Sequence, residues 1–226
     1  MTPGDRVVAV VPAFDEEATI AATVQALREL GVVEVVVIAD GCTDLTGRQA
    51  SLAGARVLSA LHRMGKGGAL ERAFDLLPVA GVYLLVDGDV GASAREAEKL
   101  LDPVMEGRID LTIGRLPAQP GGGFGLVKGL AARAIRMISG FEANEPLSGQ
   151  RAARREVLEA CRPFARGFGL ETAMTIDAVR LGFRVGEYDV DMTHRQTGRG
   201  LGGFAHRAAQ GVEILEAVVP RALRLR

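Results

Sequence analysis

The sequence predicts an α/β domain: a mostly parallel sheet of βαβ units, doubly wound, with helices on both faces. Three observations carry this. Short, continuously apolar, β-branched runs recur at 6–11, 33–39, 55–60, 82–86 and 110–114. The stretches between them have helical rather than alternating spacing. Polar residues gather where those runs end, at Asp15 to Glu17, Asp40, Asp87 and Asp89, and sheets of this kind bind ligands beyond the carboxyl ends of their strands.

The elements follow in order. "RVVAVV" (6–11) has no polar alternation, as expected of a strand buried on both faces. In 16–30, Ile20, Val24 and Leu27 fall at i, i+4 and i+7, a helix with one apolar face. "VEVVVIA" (33–39), "ARVLSA" (55–60) and "VYLLV" (82–86) repeat the buried-strand pattern. Ser93-Ala94-Arg95-Glu96 reads as a capping box opening a helix over 94–106. "DLTIG" (110–114) is the next strand, and "LPAQPGGGFG" (116–125) is a loop. Helical spacing resumes at 126–138, a helix expected to pack its apolar stripe on the sheet, and near 170–181; a strand is expected at 184–192, and a last amphipathic helix runs to about 219. No internal repeat or low-complexity linker divides the chain, so residues 1–226 form one domain.

Composition narrows the function. The chain has 226 residues, 48% apolar and 24% charged, enough for one large core. A net charge of -1 argues against nucleic-acid binding driven by overall electrostatics. Two cysteines, Cys42 and Cys161, make no disulfide framework and suit a reducing interior. No apolar run reaches the ~18 residues of a transmembrane helix, and "VVAVVPAF" (7–14) lacks the flanks of a signal peptide. A cytoplasmic location is the expectation, with a membrane-peripheral one as the variant.

The chemistry-bearing motifs each have a bland alternative. "LLVDGDV" (84–90) ends an apolar strand in two carboxylates separated by glycine. In an extended chain Asp87 and Asp89 would leave one face roughly 7 Å apart. They then repel unless water or a cation intervenes, so they are either a polar turn or a divalent-cation site. Asp15 to Glu17 serve as helix N-terminal acids or as acceptors for a ribose or base. Asp40 shapes a turn or meets a ligand, and Lys66 in "GKGG" is solvated or pairs with a phosphate. The first turn, "VVPAFDEE", has no glycine fingerprint for a dinucleotide, and "RMGKGGAL" is no P-loop.

As a set, "VVPAFDEE", "IADGCTD", "GKGGAL" and "LLVDGDV" resemble the donor half of GT-A fold glycosyltransferases, particularly those of family 2. The resemblance implies a nucleotide-sugar-binding half at 1–115 and an acceptor-side half with the C-terminal tail at 116–226. It implies that Pro12, Ala13, Phe14, Glu16, Asp40 and Lys66 hold the nucleotide. Asp87, Gly88 and Asp89 would meet its diphosphate through Mn²⁺ or Mg²⁺. Ala39 stands where many relatives have a further aspartate, and Cys42 where serine is usual.

Further on, "PLSGQRAARREVL" (146–158), "GFGLETAMTID" (167–177) and "MTHRQTGR" (192–199) are similar to stretches of glucosyl-3-phosphoglycerate synthases. That similarity implies Glu171 at the sugar, His194 as a metal ligand beside Asp89 and Asp87, and transfer with retention; the basic segment after His194 offers Arg195 and Arg199 to the diphosphate. The acceptor-side candidates are Gly123, Lys128, Gln150 and Arg151. Glu171 and Asp89 are thus the catalytic candidates, and a UDP-linked sugar is the expected donor.

The acceptor is less defined. Phe124 replaces an arginine that grips phosphoglycerate in those relatives, and Met192 replaces another. A small phosphorylated acceptor and a lipid phosphate such as polyprenyl phosphate both remain open, as does a homo-oligomer. Two readings of other classes compete: a sugar-1-phosphate nucleotidyltransferase, whose glycine-rich basic first loop is missing here, and a non-catalytic nucleotide-sugar binder.

Overall fold

This computed structural model describes residues 6–117, 125–167, 169–193 and 202–223. Among the described residues, seven strands form one sheet in the order β3-β2-β1-β4-β6-β5-β7. They are β1 (Val7–Ala13), β2 (Glu34–Asp40), β3 (Arg56–Ala60), β4 (Val82–Leu85), β5 (Leu111–Arg115), β6 (Arg151–Arg154) and β7 (Val185–Asp189). β1 pairs in parallel with β2 and β4, β2 with β3, and β5 with β7.

The helices are α1 (Ile20–Glu29), α2 (Thr46–Leu52), α3 (Gly65–Phe74), α4 (Glu98–Met105), α5 (Gly125–Ser139), α6 (Arg155–Ala160), α7 (Gly169–Arg180) and α8 (Gly202–Ala222). Alternate strand residues serve opposite layers. Ala9, Val11, Val82 and Leu84 pack with Ile20, Val24 and Leu27 of α1. Val8, Val10, Tyr83 and Leu85 pack with Leu70 and Phe74 of α3 and Leu170 of α7. This two-sided burial is why the strands read as unbroken apolar runs.

Three differences from the sequence reading have physical causes. β6 was not expected, because "RAAR" lacks β-branched residues; it lies antiparallel between β4 and β5 and makes the sheet mixed. Residues Gly91–Ala97 form a 3-10 helix, so Ser93 and Glu96 do not close a capping box. Ser93 Oγ instead accepts from the Thr193 amide at 3.2 Å, and Glu96 Oε2 accepts from the Asp191 amide at 3.1 Å. Finally, α5 does not lay its apolar stripe on the sheet: Ala131 and Ile135 pack against Ile176 of α7 and Ile214 and Val218 of α8 in a separate small core.

Candidate active site

The ends of β1, β2 and β4 converge with the first turns of α3 and α7. Pro12 and Ala13 are buried residues of β1 itself, in register with Ile38 and Ala39. The turn after them is stitched to the β2 exit: the Glu16 amide donates to Thr46 Oγ1 at 2.7 Å and the Glu17 amide to Asp44 Oδ2 at 3.0 Å. The guanidinium of Arg63 lies 3.8 Å over the Phe14 ring. Asp40 is buried and spends both oxygens on the chain, accepting from the Met64 and Gly65 amides at 2.8 Å each. Its charge thereby fixes the start of α3, where a helix N-terminus favours an anion.

That start delivers Lys66. Its ammonium pairs with Asp87 Oδ1 and, at 3.0 Å, with Glu171 Oε1. Burial works against the charge, but Asp87 and then Glu171 outweigh it, so the lysine pKa stands above its usual range. Gln150 completes the arrangement: its Nε2 donates to Asp87 Oδ2 at 2.7 Å, and its Oε1 accepts from the Asp87 amide at 3.2 Å. Glu171 enters from the first turn of α7 and is almost wholly buried.

Glycines make this density achievable. A Cβ on Gly149 would lie 2.0 Å from Lys66 Nζ and 2.7 Å from both Asp87 oxygens. A Cβ on Gly67 would lie 1.8 Å from the Ala165 carbonyl, so α3 needs glycine there to approach the 165–167 loop. The glycine between the two aspartates has the same reason. A Cβ on Gly88 would lie 2.0 Å from Glu16 Oε2. β4 stops at Leu85, so Asp87 and Asp89 occupy a loop rather than one strand face, and Glu16 is folded over its middle.

Glu16 carries the tension of this corner. Burial, then Asp89, then Asp87 push its carboxyl up to about 8, against the opposing pull of Lys66. Its Oε2 is buried with no hydrogen-bond partner. Oxygen donors, crowded negative charge and an orphaned carboxylate oxygen fit a hard divalent cation such as Mg²⁺ or Mn²⁺.

Another group of candidate ligands lies nearby. Oxygens of Asp15 and Asp44 and the Cys42 sulfur all sit within 4.8 Å of one another. Here the carboxylates are already served: Asp15 Oδ1 accepts from the Thr43 amide at 2.7 Å, and Asp44 Oδ1 from the Thr46 amide at 2.9 Å. Burial pushes the Cys42 thiol up, and it donates to the Ala13 carbonyl at 3.4 Å. A protonated thiol and satisfied carboxylates make a poor metal cage.

The remaining expected residues divide. Arg151 is turned into the interior of the fold. It is 1% exposed, donating to the Ser148 carbonyl at 2.8 Å and Thr175 Oγ1 at 3.1 Å. Burial lowers its guanidinium to about 10, with Glu171 the largest opposing influence. Gln150 is likewise buried and serves Asp87 rather than an open face. Both follow from β6, the strand that sequence did not disclose. Lys128 on α5 meets Glu145 Oε1 at 2.5 Å. Gly123, His194, Arg195 and Arg199 lie outside the described residues. The residue that sequence reasoning missed altogether is Gly149; a lone glycine in "SGQR" gave no turn signal strong enough to mark it.

Comparison with known proteins identifies relatives of this fold. The model of the family described as glycosyl transferase family 2 matches residues 8–162. Glycosyltransferase AglJ of Haloferax volcanii is 34% identical over 189 residues, covering 81% of this chain and 62% of that protein. Glucosyl-3-phosphoglycerate synthase of Mycolicibacterium smegmatis is 34% identical over 202 residues, covering 79% of this chain and 66% of that protein. The chain thus spans less than two thirds of the length of either relative. Among solved structures, glucosyl-3-phosphoglycerate synthase from Mycobacterium tuberculosis in complex with Mn²⁺, UDP-glucose and phosphoglyceric acid superposes with a TM-score of 0.81 at 30% identity. The match covers 96% of this chain and 79% of that one. The complex of the same enzyme with Mg²⁺ and UDP gives 0.80 at 29% identity, covering 96% and 79%. A family match over most of the sheet, a shared fold and a carboxylate–lysine corner at the strand ends lead to one conclusion: this chain belongs to glycosyl transferase family 2.

Proposed function

We propose that the protein transfers a sugar from a UDP-linked donor to a phosphorylated acceptor, with retention of anomeric configuration. The observation that carries this reading is the corner in which Lys66 is clamped between Asp87 and Glu171 while Glu16 and Asp89 crowd Gly88. The glucosyl-3-phosphoglycerate synthase neighbours, bound to UDP or UDP-glucose with Mn²⁺ or Mg²⁺, support the donor and the ion.

In this reading Asp89 and His194 hold the metal, and Asp87 is the anchor that fixes Lys66. A bound Mn²⁺ or Mg²⁺ would supply charge to offset that developing on the departing diphosphate. Lys66 adds a second positive charge whose position is set before substrate arrives, so little reorganisation is needed at the moment of transfer. Arg195 and Arg199 extend that charge along the diphosphate. Asp40 acts through the α3 turn it holds, and Pro12, Ala13, Phe14 and Glu16 form the wall for the nucleoside. Glu171, ion-paired and almost wholly buried, orients the sugar; it is badly placed to take a proton from an acceptor. An acceptor phosphate already ionised at neutral pH needs no such base.

A lipid phosphate is the second reading of the acceptor. The outer face of α5 joins Leu130 and Met137, 41% and 74% exposed, to the exposed Arg133 and Arg136, a pairing suited to a membrane surface. No helix among the described residues is long and apolar enough to cross a membrane.

Incubation with Mn²⁺ and a panel of nucleotide sugars, with 3-phosphoglycerate or polyprenyl phosphate as acceptor, tests the reading. Acceptor-dependent release of UDP and an α-linked product from an α-linked donor support it. Pyrophosphate released from a nucleoside triphosphate and a sugar phosphate would instead indicate a nucleotidyltransferase. Tight binding without turnover would indicate a non-catalytic binder.

A further inference from the structure

The loop that carries Asp89 is held by groups that belong to neither strand nor substrate. Thr23 of α1 is completely buried, and its hydroxyl does two things at once. It donates to the Gly88 carbonyl at 2.9 Å and accepts from the Gly91 amide at 2.9 Å. Those two backbone groups bracket Asp89 in sequence, so one hydroxyl closes the turn around it. A buried hydroxyl with both a donor and an acceptor partner is a rigid staple, because either partner left alone would be costly.

The same loop is tied forward to the chain leaving β7. Ser93 Oγ donates to the Val90 carbonyl at 2.6 Å and accepts from the Thr193 amide at 3.2 Å. Glu96 Oε2 accepts from the Asp191 amide at 3.1 Å and from Lys99 Nζ at 2.5 Å. On either side of Asp191, Val190 and Met192 are buried in the same cluster as Val90, Ala94 and Ala97. Residues 190–193 therefore alternate like a strand: side chains of one parity enter the core, and amides of the other reach the 3-10 helix instead of a neighbouring strand.

We propose that Thr23, Ser93 and Glu96 are positioning residues that fix the Asp89 loop against the 191–193 segment, so that the Asp89 carboxylate is presented to the ion from a preset position. The inference rests on Asp89 being a metal ligand. Outer-shell groups that orient a ligand characteristically affect metal affinity even though they never touch the ion.

The test is Mn²⁺ affinity by titration calorimetry in the presence of UDP, alongside amide hydrogen exchange of the metal-free protein. Thr23→Val, which keeps the shape and removes the hydroxyl, should raise the Mn²⁺ Kd about tenfold and speed exchange at Gly91. Thr23→Ser should restore both. Ser93→Ala should accelerate exchange at Thr193 and raise the Mn²⁺ Kd about threefold, and this half-buried site decides the matter if Thr23→Val does not fold. Faster exchange with unchanged Mn²⁺ affinity in the folded variants would overturn the proposal by showing a purely structural staple. A wild-type protein that binds no Mn²⁺ would overturn the metal reading itself, and is told apart because the variants then have no affinity to lose.

Discussion

Two acidic groups lie at adjacent strand ends and have opposite characters. Asp15 and Asp44 sit on loops, each oxygen matched to an amide or hydroxyl, and their work is to sew the β1 exit to the β2 exit. Glu16, Asp87, Asp89 and Glu171 are drawn together with Lys66 in a corner so tight that glycine is needed at 88 and 149. One carboxyl there is forced to keep its proton toward neutrality. Satisfied carboxylates describe a fastening; crowded carboxylates with an orphaned oxygen describe a site prepared for a cation. Counting acidic residues would not separate them, and the hydrogen-bond partners do.

The sharpest way to break this contrast is to remove one carboxylate from each group. Asp89→Ala should weaken Mn²⁺-dependent UDP binding by at least about 100-fold, measured calorimetrically, while Asp15→Ala leaves it within about twofold. Metal affinity lost with Asp15 and kept without Asp89 would exchange the roles assigned to the two clusters.

A second, smaller effect tests the packing of the crowded corner. Gly149→Ala places a methyl group onto the Lys66–Asp87 pair. Displacing that pair should lower stability by about 2–3 kcal/mol in a urea melt and reduce turnover. Gly129→Ala, in mid-α5 with nothing within 4 Å, is the control and should raise stability by about 0.5–1 kcal/mol. Equal tolerance at both positions would mean that the corner is looser than described.

Much of this architecture was legible in the sequence, for identifiable reasons. Strands buried on both faces write continuous apolar runs, so β1, β2 and β4 could be placed from composition alone, and Asp40, Asp87 and Asp89 fell at their ends. The family resemblance supplied Lys66 and Glu171, which no periodicity would have joined across more than a hundred residues. What could not be read depends on long-range packing. β6 carries two arginines and two alanines and exists because β4 and β5 flank it. With β6 hidden, Arg151 and Gln150 looked like ligand-facing polar residues. The capping pattern at Ser93 and Glu96 was chemically sound but lost to a distant competitor, the amides of Asp191 and Thr193.

Proton balance distinguishes the two groups further. The folded pKa of Glu16, about 8, lies above its ordinary 4.5. Between those values the folded protein holds more protons than the unfolded one, so stability falls as pH rises. In metal-free protein kept with a chelator, Glu16's contribution is fully present below about pH 4.5 and is lost as pH climbs through about 8. Across that window the wild type should lose up to about 5 kcal/mol relative to Glu16→Gln, followed by urea midpoints at several pH values. Parallel pH profiles for the two proteins would remove the strain attributed to this carboxyl.

Asp44 should give the smallest change, with the opposite sign in pH. Slight burial raises its pKa, but the Thr46 hydroxyl and amide and the Glu17 amide outweigh that and hold it below the usual carboxylate range. Its stabilisation is therefore present above the unfolded pKa and lost as pH falls through the folded one. Asp44→Ala releases the start of α2 and the Glu17 amide, so it should cost about 1 kcal/mol at neutral pH and much less in acid. If the group only fastens loops, this loss should be identical with and without Mn²⁺. A metal-dependent difference in the Asp44→Ala melt would show that the exposed group also takes part in cation binding, and the boundary between fastening and site would have to be redrawn through β2 rather than beside it.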